Sequence, residues 1–319
     1  MSIPAKCKIR IREALKGNWL TALLIALTVN LPSLLVQGIA AFTGNDLTSR
    51  LLSLMESSLY SGGSAADSAR LISGMREIRE SGGVWAMQGL NLAAALVTPC
   101  LTLGMLAWLL GRLRKEEDPG VAAAFSRIGA FFRAVGLRLY TTWRVFLWML
   151  PGIALSLAGI AVLLAAPASA SEDSVWLIFT LYLGMEMGAL ALMLVFGVRA
   201  ALKYALGDLI LADRPETGPI QAAKESVRMV MQGRRGTLFG LYMSFFGWYA
   251  AVMAVSLLGG TSSPASVIGL MLQMLASLAL SVYVNGTLAA FYLEIRETEQ
   301  AGTAPEGALP ENGNDEESD

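Results

Sequence analysis

One acidic residue inside a long apolar run is the strongest candidate for chemistry in this sequence. Glu186 stands in the run LYLGMEMGALAL. An ionisable group at the centre of a membrane costs about 2.5 to 3.5 kcal/mol on insertion scales unless it is paired or wetted. Glu186 could therefore bind a proton or a cation. The alternative is a carboxyl group that hydrogen-bonds to a neighbouring helix, or that stays neutral because desolvation disfavours its charged form.

Three further polar side chains in or near apolar runs could complete a site around Glu186. They are Arg144, Asn91 and Gln273. Arg144 lies close to the end of its run, so we expect its guanidinium to reach the membrane interface. Asn91 and Gln273 are of the types that hydrogen-bond between membrane helices. The candidate intramembrane polar site is thus Glu186 with Arg144, Asn91 and Gln273.

The remaining residue types argue against familiar enzyme classes. The chain has no histidine, which is the usual zinc ligand and the usual base near neutral pH. Its two cysteines, Cys7 and Cys100, do not indicate a disulfide framework. No phosphate loop, HExxH or Gly-x-Ser-x-Gly pattern is present. We therefore expect no enzyme activity, no catalytic residue, no cofactor and no metal.

Two acidic residues near the middle of the chain have ordinary explanations. The Gly207-Asp208 pair weakly resembles the motif of intramembrane aspartyl proteases, but a second carboxylate in a matching motif is missing. Asp213 precedes Pro215 in a segment between apolar runs, where capping and turn formation are the default role. The net charge of −1 gives no global argument for nucleic-acid binding.

Composition identifies the elements that would position these residues. Hydrophobic residues make up 55% of the 319 residues and charged residues 15%, against about 25% charged in an average soluble domain. Runs of roughly 20 apolar residues are long enough to cross a bilayer as helices. The sequence predicts an all-α, polytopic membrane protein with about six transmembrane helices, at about 19–42, 86–110, 141–166, 175–198, 238–258 and 266–292.

The distribution of positive charge predicts the orientation. With the N-terminus inside, 20 of the 24 lysines and arginines lie in the inner segments. The other four lie in one outer loop, 43–84. Because basic residues are retained on the cytoplasmic side, we expect both termini to be cytoplasmic. Residues 1–296 form a single helical membrane domain in this reading, and the acidic segment 297–319 is a disordered cytoplasmic tail.

A basic, roughly amphipathic segment precedes each of three predicted helical hairpins. The segments begin KIRIREALKGNWLTAL, SRIGAFFRAVGLRLYTTW and SVRMVMQGRRGTLFGLYM. The third has the clearest period, with Ile220, Ala223, Val227 and Val230 on one face. Such helices are expected to lie on the membrane surface beside anionic lipid headgroups. The alternative is that they are only topological anchors.

Several short motifs resemble a known family. They are Ala14-Leu15-Lys16-Gly17-Asn18-Trp19, Thr102-Leu103-Gly104, Pro151-Gly152-Ile153, Leu211-Ala212-Asp213-Arg214-Pro215 and Ser244-Phe245-Phe246-Gly247-Trp248. Their order is similar to that of the DUF975 family of bacterial integral membrane proteins. The resemblance implies a multi-span helical fold in the bacterial cytoplasmic membrane. It implies no activity and no site residues, because the family is uncharacterised in function.

Two functions remain open at this point. The first is a non-enzymatic scaffold, assembly factor or regulator in the bacterial membrane, with the bilayer, anionic headgroups and other membrane proteins as partners. The second is a transporter or channel for a small solute or lipid, built around Glu186. Pro32, Pro99 and Pro151 lie inside predicted spans, where they either kink helices for packing or break them beside a cavity.

Overall fold

The structure is a computed structural model that describes residues 3–60, 82–165, 172–232, 234–258 and 264–303. Within these ranges the regular elements are all helical. Two short 3₁₀ helices, Gly120–Phe125 and Ile128–Ala130, separate the third and fourth α-helices. The α-helices are α1 (Ile3–Ala14), α2 (Trp19–Tyr60), α3 (Gly82–Leu113), α4 (Phe131–Leu164), α5 (Glu172–Tyr204), α6 (Gly207–Asp213), α7 (Pro219–Met231), α8 (Arg235–Met243), α9 (Phe246–Leu258) and α10 (Pro264–Thr303).

Six stretches of the described chain are helical, long and apolar enough to cross a membrane. The prediction of an all-α membrane protein with about six spans is therefore confirmed. The three prolines inside predicted spans lie within continuous helices, Pro32 in α2, Pro99 in α3 and Pro151 in α4. The six stretches are Trp19–Ile39, Trp85–Leu113, Gly120–Leu164, Trp176–Asp213, Arg235–Ala254 and Met271–Gln300.

Two predicted boundaries differ from the structure. Helix α2 continues to Tyr60, so the first part of the predicted outer loop 43–84 is helical. Helix α10 continues to Thr303, past the predicted start of the tail at 297. The second extension has a clear reason, because Arg10 on α1 donates to Glu297 at 2.8 Å and thereby holds this turn in place. Residues 61–81 and 304–319 lie outside the described residues.

The predicted fifth span, 238–258, is not one continuous helix. It is divided between α8 and α9 by a turn at Ser244 and Phe245. A break inside an apolar helix frees backbone carbonyls that need a donor. Lys8 on α1 supplies one, because its Nζ lies 3.4 Å from the carbonyl oxygen of Ser244 and 4.4 Å from the centre of the buried Phe245 ring.

Helices α3 and α10 are the centre of the bundle, and α4 and α5 are its periphery. Half of the most apolar window of α3 and of α10 is buried, whereas the figure is 11% for α4 and 6% for α5. Helices α4 and α5 pack chiefly on each other, with Gly152 of α4 approaching the backbone of α5 so closely that a Cβ would lie 2.9 Å from the carbonyl oxygen of Ala189. The peripheral pair therefore leaves a broad apolar surface exposed, as a bilayer requires.

Short helices close one end of the bundle, which we call the short-helix end. It comprises α1, α6, α7 and the two 3₁₀ helices. These helices are built into the protein and do not simply lie on lipid. Ile11 of α1 is fully buried against α10, where only a glycine fits: a Cβ on Gly286 would lie 2.5 Å from Cγ1 of Ile11. Burial also raises the pKa of the Cys7 thiol on α1 to about 11.

Helix α7 has a buried face that differs from the predicted one. The structure buries Ala222, Ala223, Ser226, Met229 and Val230, and α7 packs against α4, α5 and α6. Ala223 and Val230 were predicted correctly, but Ile220 is 51% exposed. Three of the five buried residues are small, Ala222, Ala223 and Ser226, because three helices approach α7 closely there. The arrangement of the whole chain as three hairpins, each led by a basic segment, stays a prediction.

Candidate functional site

Glu186 faces the neighbouring helix α4. The hydroxyl of Ser156 lies 3.0 Å from one carboxylate oxygen of Glu186 and 3.1 Å from the other, so it donates to this carboxylate. Glu186 is half-buried, and Gly159 gives it room one turn further along α4. The arrangement is a hydrogen-bonded contact between two membrane helices.

The other three predicted site residues lie elsewhere. Arg144 is exposed, and its Nε donates to the hydroxyl of Tyr140 at 3.2 Å. Asn91 is exposed and donates to the carbonyl oxygen of Met87 on its own helix at 3.0 Å. Gln273 lines a cleft of about 390 Å³ between α2 and α10. The structure thus does not bring Glu186, Arg144, Asn91 and Gln273 together into one site.

The main charged cluster surrounds Asp213 at the C-terminus of α6. Its Oδ1 accepts from Arg114 at 2.6 Å, and its Oδ2 accepts from Tyr292 at 2.9 Å and from Arg296 at 2.6 Å. The Asp213 side chain is 6% exposed. We call these four residues the Asp213 clamp. Because Arg114 follows α3 and the other two donors lie on α10, the clamp joins α6 to both central helices.

Further polar contacts hold the short-helix end together. Arg214 pairs with Glu225 across the turn between α6 and α7. Ser226 of α7 bridges the break between α5 and α6: its hydroxyl donates to the carbonyl oxygen of Lys203 at 2.9 Å and accepts from the N–H of Leu206 at 3.2 Å. These are backbone groups that a helix end leaves without intrahelical partners. One buried hydroxyl therefore satisfies both sides of the break.

Asp118 fixes the connection that follows α3. Its Oδ1 accepts from Nε1 of the buried Trp108 at 2.8 Å and from the N–H of Gly120 at 2.8 Å. The indole donation is the main cause that holds the pKa of Asp118 below its ordinary value. Hydrogen bonds to a carboxylate favour its charged form. Asp118 thus joins α3 to the start of the first 3₁₀ helix, just as Asp213 joins α6 to α3 and α10.

A polar cavity of about 530 Å³ lies where α3, α4, α5, α6, α8 and α10 meet. We call it the Asp208 cavity. Apolar side chains line one part of it, including Leu106, Phe146, Met149 and Leu288. The polar side chains on its wall are Thr102, Arg138, Thr141, Thr142, Tyr204, Asp208, Tyr242 and Asn285.

Asp208 is the acidic residue on the wall of this cavity, and it differs from the other acids described above. Within the described part of the chain no group donates a hydrogen bond to its carboxylate, and Arg138 is the charged side chain that acts on it. Three other polar side chains on the wall donate a hydrogen bond to a carbonyl oxygen of their own helix. Thr102 donates to the carbonyl oxygen of Thr98, Thr141 to that of Leu137, and Asn285 to that of Ser281. These three side chains therefore present acceptor oxygens to the cavity.

Sequence reasoning missed both the Asp213 clamp and the Asp208 cavity. The clamp joins residues 99, 79 and 83 positions apart, and nothing local marks such a pairing. The motif Leu211-Ala212-Asp213-Arg214-Pro215 contains the acid of the clamp, but taken alone it indicates a turn and does not identify the partners. The cavity draws its wall from six helices, so its existence depends on packing that no single segment encodes.

Comparisons with known proteins give one family. A family model described as a protein of unknown function, DUF975, matches residues 1–299. The match extends from α1 through most of α10. A search of curated proteins and a search of solved structures returned no match.

Proposed function

We propose that this chain, which belongs to the DUF975 family, is a non-enzymatic integral membrane protein. It acts as a scaffold, assembly factor or regulator in the bacterial cytoplasmic membrane. Membership supports the membrane assignment, which the six apolar helices share. The family brings no activity with it. The role is therefore inferred from how the chain uses its own polar groups.

The observation that carries this proposal is the Asp213 clamp. Its charged groups hold α3, α6 and α10 in a fixed relation and are occupied by one another. Arg214 with Glu225, and Arg10 with Glu297, extend the same pattern to α7 and α1. Ion pairs between helices keep the surface of the protein in one arrangement. A partner that binds a preorganised surface loses less free energy to ordering it.

The outer face of α7 is the surface we assign to partners. Gln221, Lys224 and Arg228 are exposed on it and line a shallow cleft with Arg214 and Glu225. We place the short-helix end in the cytoplasm, because most of the positive charge of the chain lies there. In this orientation Lys224 and Arg228 meet anionic headgroups or an acidic protein segment at the cytoplasmic face.

Transport is the second candidate function, and the Asp208 cavity is the observation that favours it. A path across the membrane would have to join this cavity to Glu186. Glu186 precedes Ala201 on the cavity wall by 15 residues of α5, which is about 22 Å along a helix axis. A transporter would therefore use both carboxylates, and a scaffold would use neither to move an ion.

Reconstitution into liposomes tests the choice between these functions. Proton and monovalent cation flux are measured for the wild type, Glu186→Gln and Asp208→Asn, with Ser244→Ala as a matched variant outside both sites. The scaffold proposal expects no flux above empty liposomes for any of the four proteins. Flux in the wild type that either carboxylate variant abolishes, and that Ser244→Ala retains, would establish transport instead.

Site-specific photo-crosslinking tests the partner surface in living membranes. A photoreactive residue replaces Lys224 or Arg228 on α7 and, as a control, the exposed Leu181 on α5. A discrete protein adduct is expected from the two α7 positions and lipid adducts alone from position 181. Charge reversal of the neighbouring basic residue should abolish the adduct. Equal adducts from all three positions would refute α7 as the partner surface.

A further inference from the structure

We propose that the Asp208 cavity binds the headgroup of a zwitterionic lipid, with the ammonium group on Asp208 and the phosphate on Arg138. The proposal goes beyond the scaffold role and does not depend on it. It names a ligand chemistry, an ammonium joined by a short linker to an anion. A phospholipid and a small soluble zwitterion share this chemistry, and the arguments below favour the lipid.

The charges on the wall come as one acid and one base. Asp208 and Arg138 are the formally charged side chains that line the cavity, and each acts electrostatically on the other. Asp208 is half-buried, and even partial burial of a carboxylate is costly unless it is paired and hydrogen-bonded. Asp208 has no donor within the described residues, so a ligand ammonium would supply what the protein leaves out. A purely anionic ligand would meet Arg138 but would be repelled by Asp208.

The rings on the wall also suit an ammonium group. Tyr204 and Tyr242 both line the cavity beside Asp208, and Phe146 lines its α4 side. Aromatic faces attract cations within about 6 Å, and Tyr242 lies close enough to Asp208 to interact with it electrostatically. The Oδ1 atom of Asn285 adds a neutral acceptor, because its Nδ2 donates to Ser281. A ligand ammonium would therefore donate to Asp208 and to Asn285.

The position of the opening favours a lipid over a soluble ligand. Arg138, Thr142 and Phe146 recur every four residues on α4, are all exposed and all line the cavity. Phe146 is 44% exposed, and the adjoining Trp143 is 59% exposed on the same helix. The opening therefore lies beside apolar side chains that face the bilayer. An acyl chain could lie along Phe146 while the headgroup occupies the polar part of the cavity.

The volume agrees with this assignment. The cavity holds about 530 Å³, within the range of roughly 300 to 1,000 Å³ that small-ligand sites occupy. A headgroup alone would fill only part of it. The apolar wall at Leu106, Met149 and Leu288 accounts for the rest, because it can accept the start of the acyl chains.

The test measures lipid binding by native mass spectrometry and melting temperature in the same samples. Full-length protein in detergent is mixed with phosphatidylethanolamine, phosphatidylglycerol or soluble phosphoethanolamine. The wild type should retain one phosphatidylethanolamine at least tenfold more strongly than phosphatidylglycerol, with a rise in melting temperature. Asp208→Asn should lose this preference, because it no longer pairs with the ammonium. Arg138→Gln should weaken the binding of both lipids, because both carry a phosphate. Glu186→Gln, a half-buried carboxylate away from the cavity, should keep the preference.

Each outcome decides the proposal. Retention of the preference by Asp208→Asn would overturn the ammonium contact. Undiminished binding of both lipids by Arg138→Gln would overturn the phosphate contact, and this second result holds even if the Asp208 variant folds poorly. Preference for phosphatidylglycerol would overturn the zwitterion chemistry. A melting shift with phosphoethanolamine that equals the shift with the lipid would keep the chemistry and assign the site to a soluble ligand.

Discussion

Asp213 and Asp208 lie five positions apart on the seven-residue helix α6, yet they have opposite surroundings. Asp213 accepts hydrogen bonds from Arg114, Tyr292 and Arg296. Asp208 accepts none from the described residues and faces a cavity instead. The difference teaches that burial of a carboxylate does not by itself mark a functional site in this protein. The carboxylate whose partners are missing is the informative one.

Removal of Asp213 should have the largest effect. Asp213→Ala leaves the guanidinium groups of Arg114 and Arg296 without their partner, and breaking one side of a buried ion pair costs about 3 to 5 kcal/mol. We expect about 3 kcal/mol in the free energy of unfolding, because the two arginines are 39% and 28% exposed. Tryptophan fluorescence during titration of micelles with a denaturing detergent measures it.

Glu225→Gln is the matched control for this prediction. It breaks the pair with Arg214, in which the carboxylate is 15% exposed against 6% for Asp213, and should cost about 1 kcal/mol. Equal losses for the two variants would show that the Asp213 clamp is an ordinary surface ion pair.

A pair of tyrosine substitutions sharpens the comparison. Tyr292→Phe removes the hydroxyl that donates to Asp213 and leaves the ring buried. Hydrogen bonds to charged groups contribute about 1.5 to 3 kcal/mol, so the free energy of unfolding should fall by about 1.5 kcal/mol. Tyr242→Phe at the Asp208 cavity should change it by less than about 0.5 kcal/mol. A larger loss for Tyr242 would mean that its hydroxyl has a structural partner.

Acid should weaken the carboxylates that have donors. Hydrogen bonding from Trp108 lowers the folded pKa of Asp118, so its contribution to stability is complete above the unfolded pKa of about 3.9. The contribution is lost as the pH falls from there through the lower, folded pKa. Unfolding midpoints between pH 5 and pH 3 should therefore fall less steeply for Asp118→Asn than for the wild type. Parallel slopes would contradict the role of the indole donor.

The smallest effect is expected at Asp208. Asp208→Asn removes a charge without breaking a described hydrogen bond, so in detergent without added lipid the free energy of unfolding should stay within about 0.5 kcal/mol of the wild type. The same fluorescence titration measures it. A loss comparable to that of Asp213→Ala would make Asp208 a structural residue and would erase the difference between the two acids.

The sequence predicts what depends on local composition. Long apolar runs identify all six spans, because a bilayer selects on length and polarity along a single segment. The break at Ser244 has no such local signal, and the side chain that contacts its carbonyl oxygen, Lys8, lies 236 residues earlier. For the same reason Glu186 attracted attention as an isolated charge, whereas the partners of Asp213 became apparent only when three distant segments met.

The Asp213 clamp also determines when the protein can be completed during synthesis. Arg114 is made 99 residues before Asp213, but Arg296 follows it by 83 residues. At a translation rate of about 5 to 20 residues per second, Asp213 waits roughly 4 to 17 s for its last partner. Arg10 of α1 waits still longer for its partner Glu297, which lies on α10 with Arg296. Until α10 is made, Arg10 therefore lacks Glu297, and Arg114 is the one arginine of the clamp that can pair with Asp213.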